Sequence, residues 1–295
     1  EAWLNDKVTN ENRGRAMGTF RIVDMGASLG AQLIIAVLPP AWYVSYNLLA
    51  LLCCASILPL TLTKASQPQT PDAPRLRPKL AWACSPLAVA GVIVAALSSA
   101  SFRMVGPIYG QEVGLEIGQI AFFLASFVAG GALAQYPMGW LADKYDRRWV
   151  LIWLSAAAVV SCGTTMAASN TGTVGVMLAA GFFGFTSFPI FSVSAAHAND
   201  FATGEQRVEL SAALMFFFAV GAIASPWVSS TLIEIYGPPA LFTFVACGHL
   251  ALIGFGLTRM YARPTKTERT PYRYSPRTSL SMGRYLGRHR EDKRK

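Results

Sequence analysis

Charged residues are scarce in this sequence. Asp, Glu, Lys and Arg make up 14% of its 295 positions, whereas 53% are hydrophobic and the mean hydropathy is +0.38. Because soluble domains carry roughly a quarter charged residues, this composition excludes a water-solvated globular domain. The high apolar content also excludes a disordered chain.

Residue types that bind metals or form disulfides are also few. The sequence has three histidines, and its five cysteines lie in apolar runs without a paired C-x-x-C motif. We therefore expect no metal site, no cofactor and no secreted disulfide scaffold. Since no cluster of His, Cys or acidic residues supports chemistry, an enzyme is the least favoured class.

The few charges leave long uncharged runs between them. These runs cover residues 25–63, 80–102, 117–142, 149–199, 210–233 and 235–258. A membrane helix needs about 20 apolar residues, so every run is long enough for one. Two runs are long enough for a pair and are interrupted by turn-forming residues at 39–40 and 169–172. The sequence thus predicts an all-α membrane protein with eight transmembrane helices.

The predicted spans have approximate boundaries. They are residues 17–38, 42–62, 81–109, 117–141, 149–168, 174–195, 210–233 and 240–259.

Basic residues lie on one side of this topology. Lys and Arg precede the first span, occupy the even-numbered connections and follow the eighth span, while the odd-numbered connections contain none. By the positive-inside rule both termini are expected in the cytoplasm. The net charge of +9 is therefore assigned to the membrane surface and not to nucleic acid. The basic tail is expected to meet anionic lipid.

A weak internal repeat suggests the architecture. Six residues between Ala2 and Arg13 recur at an offset of 194, between Ala196 and Arg207, and each copy immediately precedes a predicted span. A six-helix period makes spans one and seven equivalent, so four helices are expected upstream of Glu1 in a twelve-span parent. Parallel repeats of this kind form transporters with a path between the two halves.

The repeat divides the chain into four predicted segments. Residues 1–63 form the last two helices of an N-terminal bundle, and 64–80 form a proline-rich cytoplasmic linker. Residues 81–262 form a complete C-terminal six-helix bundle, and 263–295 form the basic cytoplasmic tail.

A motif follows the fourth predicted span. The stretch from Gly139 to Arg148 reads GWLADKYDRR and resembles the signature loop G-x-x-x-D-[RK]-x-G-R-[RK] of the major facilitator superfamily. The matching residues are Gly139, Asp143, Lys144, Arg147 and Arg148. Asp146 stands where the family usually has glycine, which puts a side chain at a tight turn.

The resemblance implies a latch that holds the cytoplasmic side closed in one state. In physical terms, Gly139 would permit close approach of a helix, Asp143 would face a helix N-terminus or a cation, and Arg147 and Arg148 would donate to a carboxylate across the loop. The alternative is a basic loop that only fixes topology.

A second motif lies in the loop before span seven. The stretch 188–200 ends in AHAND and resembles the end of helix ten in the YcaD-type branch of the same superfamily, and residues 1–15 resemble that branch's loop before helix five. The resemblance covers nearly the whole chain. The candidate residues of this loop are His197, Asn199, Asp200, Glu205 and Arg207.

Polar and helix-breaking residues inside the spans are candidates for a transport path. Arg21 and Asp24 are spaced for an ion pair, or Asp24 is a protonatable cavity group. Arg103 either snorkels or pairs with a glutamate near the span end, or it binds an anionic substrate. Pro107 is expected to break its helix. The remaining candidates are Phe185 and Pro189.

These observations predict secondary active transport of a small solute across the inner (plasma) membrane. The expected mechanism is alternating access coupled to protons. A non-transporting membrane sensor or assembly partner built on the same bundle is the alternative, and a polar path between two halves would distinguish transport from it.

Overall fold

The structure is a computed structural model that describes residues 23–24, 26–34, 38, 42–62, 76–169, 171–203 and 206–262. All regular secondary structure in these ranges is helical. Residues 26–34 form one helical stretch. The helices after it are α1 (Tyr43–Leu62), α2 (Pro78–Cys84), α3 (Pro86–Glu112), α4 (Ile117–Lys144), α5 (Arg147–Ala168), α6 (Thr173–Ser187), α7 (Pro189–Asn199), α8 (Arg207–Tyr236) and α9 (Ala240–Ala262).

Six candidate membrane spans lie in the described part of the chain. They correspond to α3, α4, α5, the pair α6 and α7, α8 and α9, each with a hydropathic window typical of a membrane helix. The apolar helix Tyr43–Pro59 precedes them and is shorter. The protein is therefore a helical membrane protein, and the total of eight spans stays a prediction.

The spans pack as neighbouring pairs. Helix α4 lies against α6, α3 against α8, and α5 against α9, while α3 also contacts α9 and α7. Buried side chains form three apolar cores, and the largest is dominated by aromatic rings. Its rings come from α3, α4, α6 and α9, and Phe102 stacks on Phe127 with centroids 4.2 Å apart.

Glycines bring α4 and α6 into backbone contact. A Cβ added to Gly130 would overlap the carbonyl oxygen of Gly181, and one added to Gly184 would overlap the carbonyl oxygen of Phe127. Small residues that allow such an approach are the usual means by which membrane helices associate.

Two predicted spans are divided in the structure. Residues 81–109 are interrupted at Ser85, which has extended backbone angles and accepts a hydrogen bond from Ala88 N at 3.1 Å. Residues 174–195 are divided at Phe188, before Pro189. Both breaks precede a proline at the first helical position, where its missing N–H costs nothing.

Some predictions lie outside the described residues. They are most of the linker 64–80, the tail 263–295, the first copy of the repeat and the start of the first span.

Candidate functional site

The loop between α4 and α5 is short and is fixed by a helix cap. Helix α4 ends at Lys144 and α5 begins at Arg147, so only Tyr145 and Asp146 connect them. Asp146 is the N-cap of α5, and its Oδ1 accepts a hydrogen bond from the backbone N–H of Arg148 at 3.0 Å. A capping carboxylate satisfies one of the free amides at the helix start.

Asp146 replaces the usual glycine without backbone strain. Its φ angle is −62°, a value open to any residue, so the turn does not need glycine here. The same carboxylate also pairs with the guanidinium of Arg148, with Nη2 and Oδ2 3.2 Å apart. The departure from the family pattern therefore gives the loop a cap and a local ion pair.

Arg147 joins the two motifs. Its guanidinium donates to the Asp200 carboxylate and to the carbonyl oxygen of Ala196 at 3.0 Å. A longer contact of 3.4 Å reaches Asp143 near the end of α4, four residues earlier in the chain. Asp200 is the C-cap of α7, so a cation lies at the negative end of that helix, where it is favourable.

We call Asp143, Asp146, Arg147, Arg148 and Asp200 the charge cluster. Its members come from the ends of α4, α5 and α7, which are brought together by packing of α5 against α7. Ion pairs that include several hydrogen bonds to one guanidinium are geometrically specific. The cluster therefore ties three helix ends at one end of the bundle.

Other residues of the first motif lie outside this network. The ammonium of Lys144 lies over the ring of Trp140, 4.9 Å from its centroid, which is a cation–π contact. Apart from the neighbouring backbone of α4, no described atom lies within 4 Å of where a Cβ of Gly139 would be. The expected close approach of a helix at Gly139 is therefore not present in the described part of the chain.

Residues of the second motif have separate roles. His197 is buried at the end of α7 and meets the ring of Phe201 edge-on at 5.3 Å. The side-chain amide of Asn199 donates to the carbonyl oxygen of Ala195 at 2.8 Å. Glu205 and the side chain of Arg207 lie outside the described residues, although Arg207 begins α8.

The path candidates of the first span are only partly described. Arg21 lies outside the described residues, and Asp24 is exposed on a helical segment.

Arg103 lies against an aromatic ring in the described part of the chain. Its guanidinium carbon lies 5.7 Å from the centroid of the Phe188 ring. In the described ranges no carboxylate lies within ion-pair distance of it. Arg103 itself is exposed on α3. Within the described part of the chain, its charge therefore has no acidic partner in this candidate span.

The proline and phenylalanine candidates differ in position. Pro107 lies inside α3, which continues to Glu112, so the expected break is wrong. Proline removes one helical hydrogen bond but is tolerated in membrane helices. Pro189 is buried at the start of α7, and Phe185 is half-buried on α6.

The sequence reasoning missed a polar pair near Arg103. Ser192 Oγ on α7 donates to Gln135 Oε1 on α4 at 3.3 Å. Both residues lie inside uncharged runs, where the predicted path candidates are proline and phenylalanine residues and not amide or hydroxyl side chains. A search that included amide and hydroxyl side chains in the spans would have found them.

The fold and the two motifs define a multi-pass helical membrane protein of a transporter class. The family model of the Major Facilitator Superfamily matches residues 87–289, which is more than half of the chain. The chain belongs to this superfamily, which is one of transporters and not of enzymes.

Curated relatives have the same description. An uncharacterized MFS-type transporter of Yersinia pestis (strain Pestoides F) is 24% identical over 274 residues, covering 92% of this chain and 69% of the relative. The uncharacterized MFS-type transporter YcaD of Salmonella heidelberg (strain SL476) is 29% identical over 249 residues, covering 83% and 64%. The chain thus spans about two thirds of the length of these relatives.

Proposed function

We propose that this chain is the larger part of a secondary active transporter that moves a small solute across the inner (plasma) membrane by alternating access coupled to protons. Membership of a transporter superfamily supports the class. The main support for the mechanism is the ion pair between Arg147 of the first motif and Asp200 of the second.

The proposal includes an arrangement of the whole protein. Eight spans of this chain follow four more upstream, residues 81–262 form the complete C-terminal bundle, and residues 1–63 complete the N-terminal bundle. Both ends of the chain are cytoplasmic, and the tail contacts anionic lipid. The relatives are longer than this chain, which supports the upstream helices.

In this proposal the charge cluster is the cytoplasmic latch. Its ion pairs hold the ends of α4, α5 and α7 together more strongly in the state whose cytoplasmic side is closed. An interaction that is stronger in one state than in the other shifts the population between them. Proton coupling would use a carboxyl group in the path, of which Asp24 is the candidate.

Neutralising Arg147 tests the latch. We expect Arg147→Gln in the complete protein to slow solute flux in proteoliposomes, because it removes contacts to Asp200, Ala196 and Asp143 together. A partly exposed pair contributes about 1 kcal/mol, which changes a two-state population about fivefold. Asp143→Asn should slow flux less, because its contact is longer and its side chain is 67% exposed.

Flux is measured with a pH-sensitive dye against a panel of solutes, and membrane abundance is measured in parallel. Glu116→Gln is the control, since it neutralises an exposed carboxylate at the other end of α4 while its amide oxygen can still cap that helix. If abundance falls in step with flux for Arg147→Gln, the cluster is structural and the latch proposal fails.

A further inference from the structure

Arg103 lies inside α3, which is a candidate membrane span. It is 17 residues after the start of α3 and 9 before its end, which at 1.5 Å per residue is about 26 Å and 14 Å along the helix. It is exposed on the bundle surface and, among the described residues, has no hydrogen bond or ion pair. Charges in such positions face a cavity or a partner, because lipid does not solvate them.

The surface around Arg103 is aromatic and polar. Phe188 lies beneath the guanidinium, and it approaches α4 at Gly131, where an added Cβ would overlap the phenyl ring. The Ser192–Gln135 pair lies one helical turn further along both helices, since each of its members is four residues beyond Phe188 or Gly131. We call Arg103, Phe188, Gln135 and Ser192 the Arg103 face.

The chemistry of this face selects a charge type. The phenyl ring holds the guanidinium through its negative face, which leaves the N–H groups at the edge of the guanidinium free to donate. Those donors match the two oxygens of a carboxylate or phosphate group. A cationic solute would be repelled, and the face contains no acidic residue to attract one.

We propose that the Arg103 face binds the carboxylate or phosphate group of a small anionic solute, with Arg103 as its charged ligand. Gln135 and Ser192 supply an amide and a hydroxyl for other polar groups of that solute. This inference rests on the proposed transport function, for which it names the substrate class.

The test measures anion binding independently of transport. The complete protein in detergent is heated with acetate, benzoate, gluconate or inorganic phosphate at matched ionic strength, and benzyl alcohol serves as the uncharged analogue of benzoate. We expect at least one anion, but not benzyl alcohol, to raise the unfolding temperature. The carboxylates and the phosphate are tested separately, so the unfolding temperatures show which of the two anion types binds.

Variants assign the binding to Arg103. Arg103→Gln should weaken the apparent affinity about tenfold or more, as expected when hydrogen bonds to a charged group are lost. Arg103→Lys keeps the charge but lacks the paired donors. Its apparent affinity should lie between those of the wild type and Arg103→Gln. Arg259→Gln, near the end of α9, is the control and should bind like the wild type. The unfolding temperature without anion shows whether each variant is folded.

The outcomes separate this inference from the transport proposal. The inference is overturned if no anion stabilises the wild type, or if Arg103→Gln and Arg259→Gln respond alike. If the Arg103→Gln variant still transports neutral or cationic solutes, the proposal of an anionic solute is overturned, whereas transport itself is supported. Anion binding that depends on Arg103, with no flux of any solute in wild-type proteoliposomes, supports the site and contradicts transport.

Discussion

At the scale of single residues, a buried polar pair joins two spans. Ser98 on α3 and His249 on α9 are fully buried, and Ser98 Oγ lies 2.9 Å from His249 Nε2. Because Ser98 Oγ also donates to the carbonyl oxygen of Val94 at 2.9 Å, it accepts from His249. The hydroxyl is therefore the hydrogen-bond partner of a ring that apolar packing encloses.

Removing this hydroxyl should destabilise the bundle. We expect Ser98→Ala to lower the free energy of unfolding by about 1–2 kcal/mol, because interhelical hydrogen bonds in membranes contribute up to this amount and a buried N–H left unpaired adds a penalty. The change is measured by thermal unfolding in detergent.

Ser99→Ala is the matched control for this prediction. Ser99 is the next residue of the same helix and is half-buried. Among the described residues, the hydrogen-bond partner of its hydroxyl is the carbonyl oxygen of Ala96, at 3.5 Å. Equal destabilisation by the two variants would mean that the Ser98–His249 bond contributes nothing specific.

The candidate residues were predictable to different degrees. The motif spacing identified Arg147 and Asp200 separately, but these residues are 53 positions apart, and only helix packing brings them together. Asp146 caps α5 only because that helix begins at Arg147, and the sequence pattern does not locate the start of a helix to within one residue. The partner of Arg103 was not predictable, because aromatic residues are common in membrane spans and give no positional signal.

At the scale of helices, hydropathy predicted the spans well and their interruptions poorly. The predicted span 117–141 begins at the observed residue, and 240–259 differs from α9 only at its end. Proline alone does not identify a break, because Pro107, Pro137 and Pro226 lie inside helices. At Ser85 the distinguishing feature is a hydroxyl that caps the next helix.

The contact between α4 and α6 provides a second prediction. We expect Gly130→Ala and Gly184→Ala each to destabilise the bundle by about 1–3 kcal/mol, because a methyl group would displace a facing carbonyl. Thermal unfolding in detergent measures this change.

Gly163→Ala is the control for the glycine variants. Gly163 lies within α5, and apart from the neighbouring backbone of that helix no described atom lies within 4 Å of the added methyl position. Since alanine favours helices over glycine by roughly 0.5–1 kcal/mol, this variant should be neutral or slightly stabilising. If it destabilises as much as the other two, close packing is not the cause.

At the scale of the whole molecule, the distribution of basic residues predicts the topology. A reporter that is active only outside the cytoplasm should be active when fused after Glu116, between α3 and α4. It should be inactive when fused after Tyr145, between α4 and α5, because Lys144, Arg147 and Arg148 retain that loop in the cytoplasm. The reverse pattern would place the charge cluster outside and exclude a cytoplasmic latch.

The distribution of buried residues predicts which part of the chain can fold on its own. The buried members of the three cores lie at or after Ala81, whereas most side chains of α1 are exposed. The bundle of α2 to α9 should therefore be stable without the residues before it, since domains that contain their own core fold as units.

Limited trypsin digestion of the purified chain tests this division. Among the sites between helices, we expect Lys64 and Arg75 in the proline-rich segment to be cut first. Arg147 and Arg148 should be cut later, because ion pairs and the α5 cap hold the loop between α4 and α5. A chain that begins at residue 76 should unfold within a few degrees of the 295-residue chain. Early cleavage at 147–148 would show that the charge cluster does not hold this loop. A much lower unfolding temperature of the shorter chain would show that the bundle depends on the preceding helices.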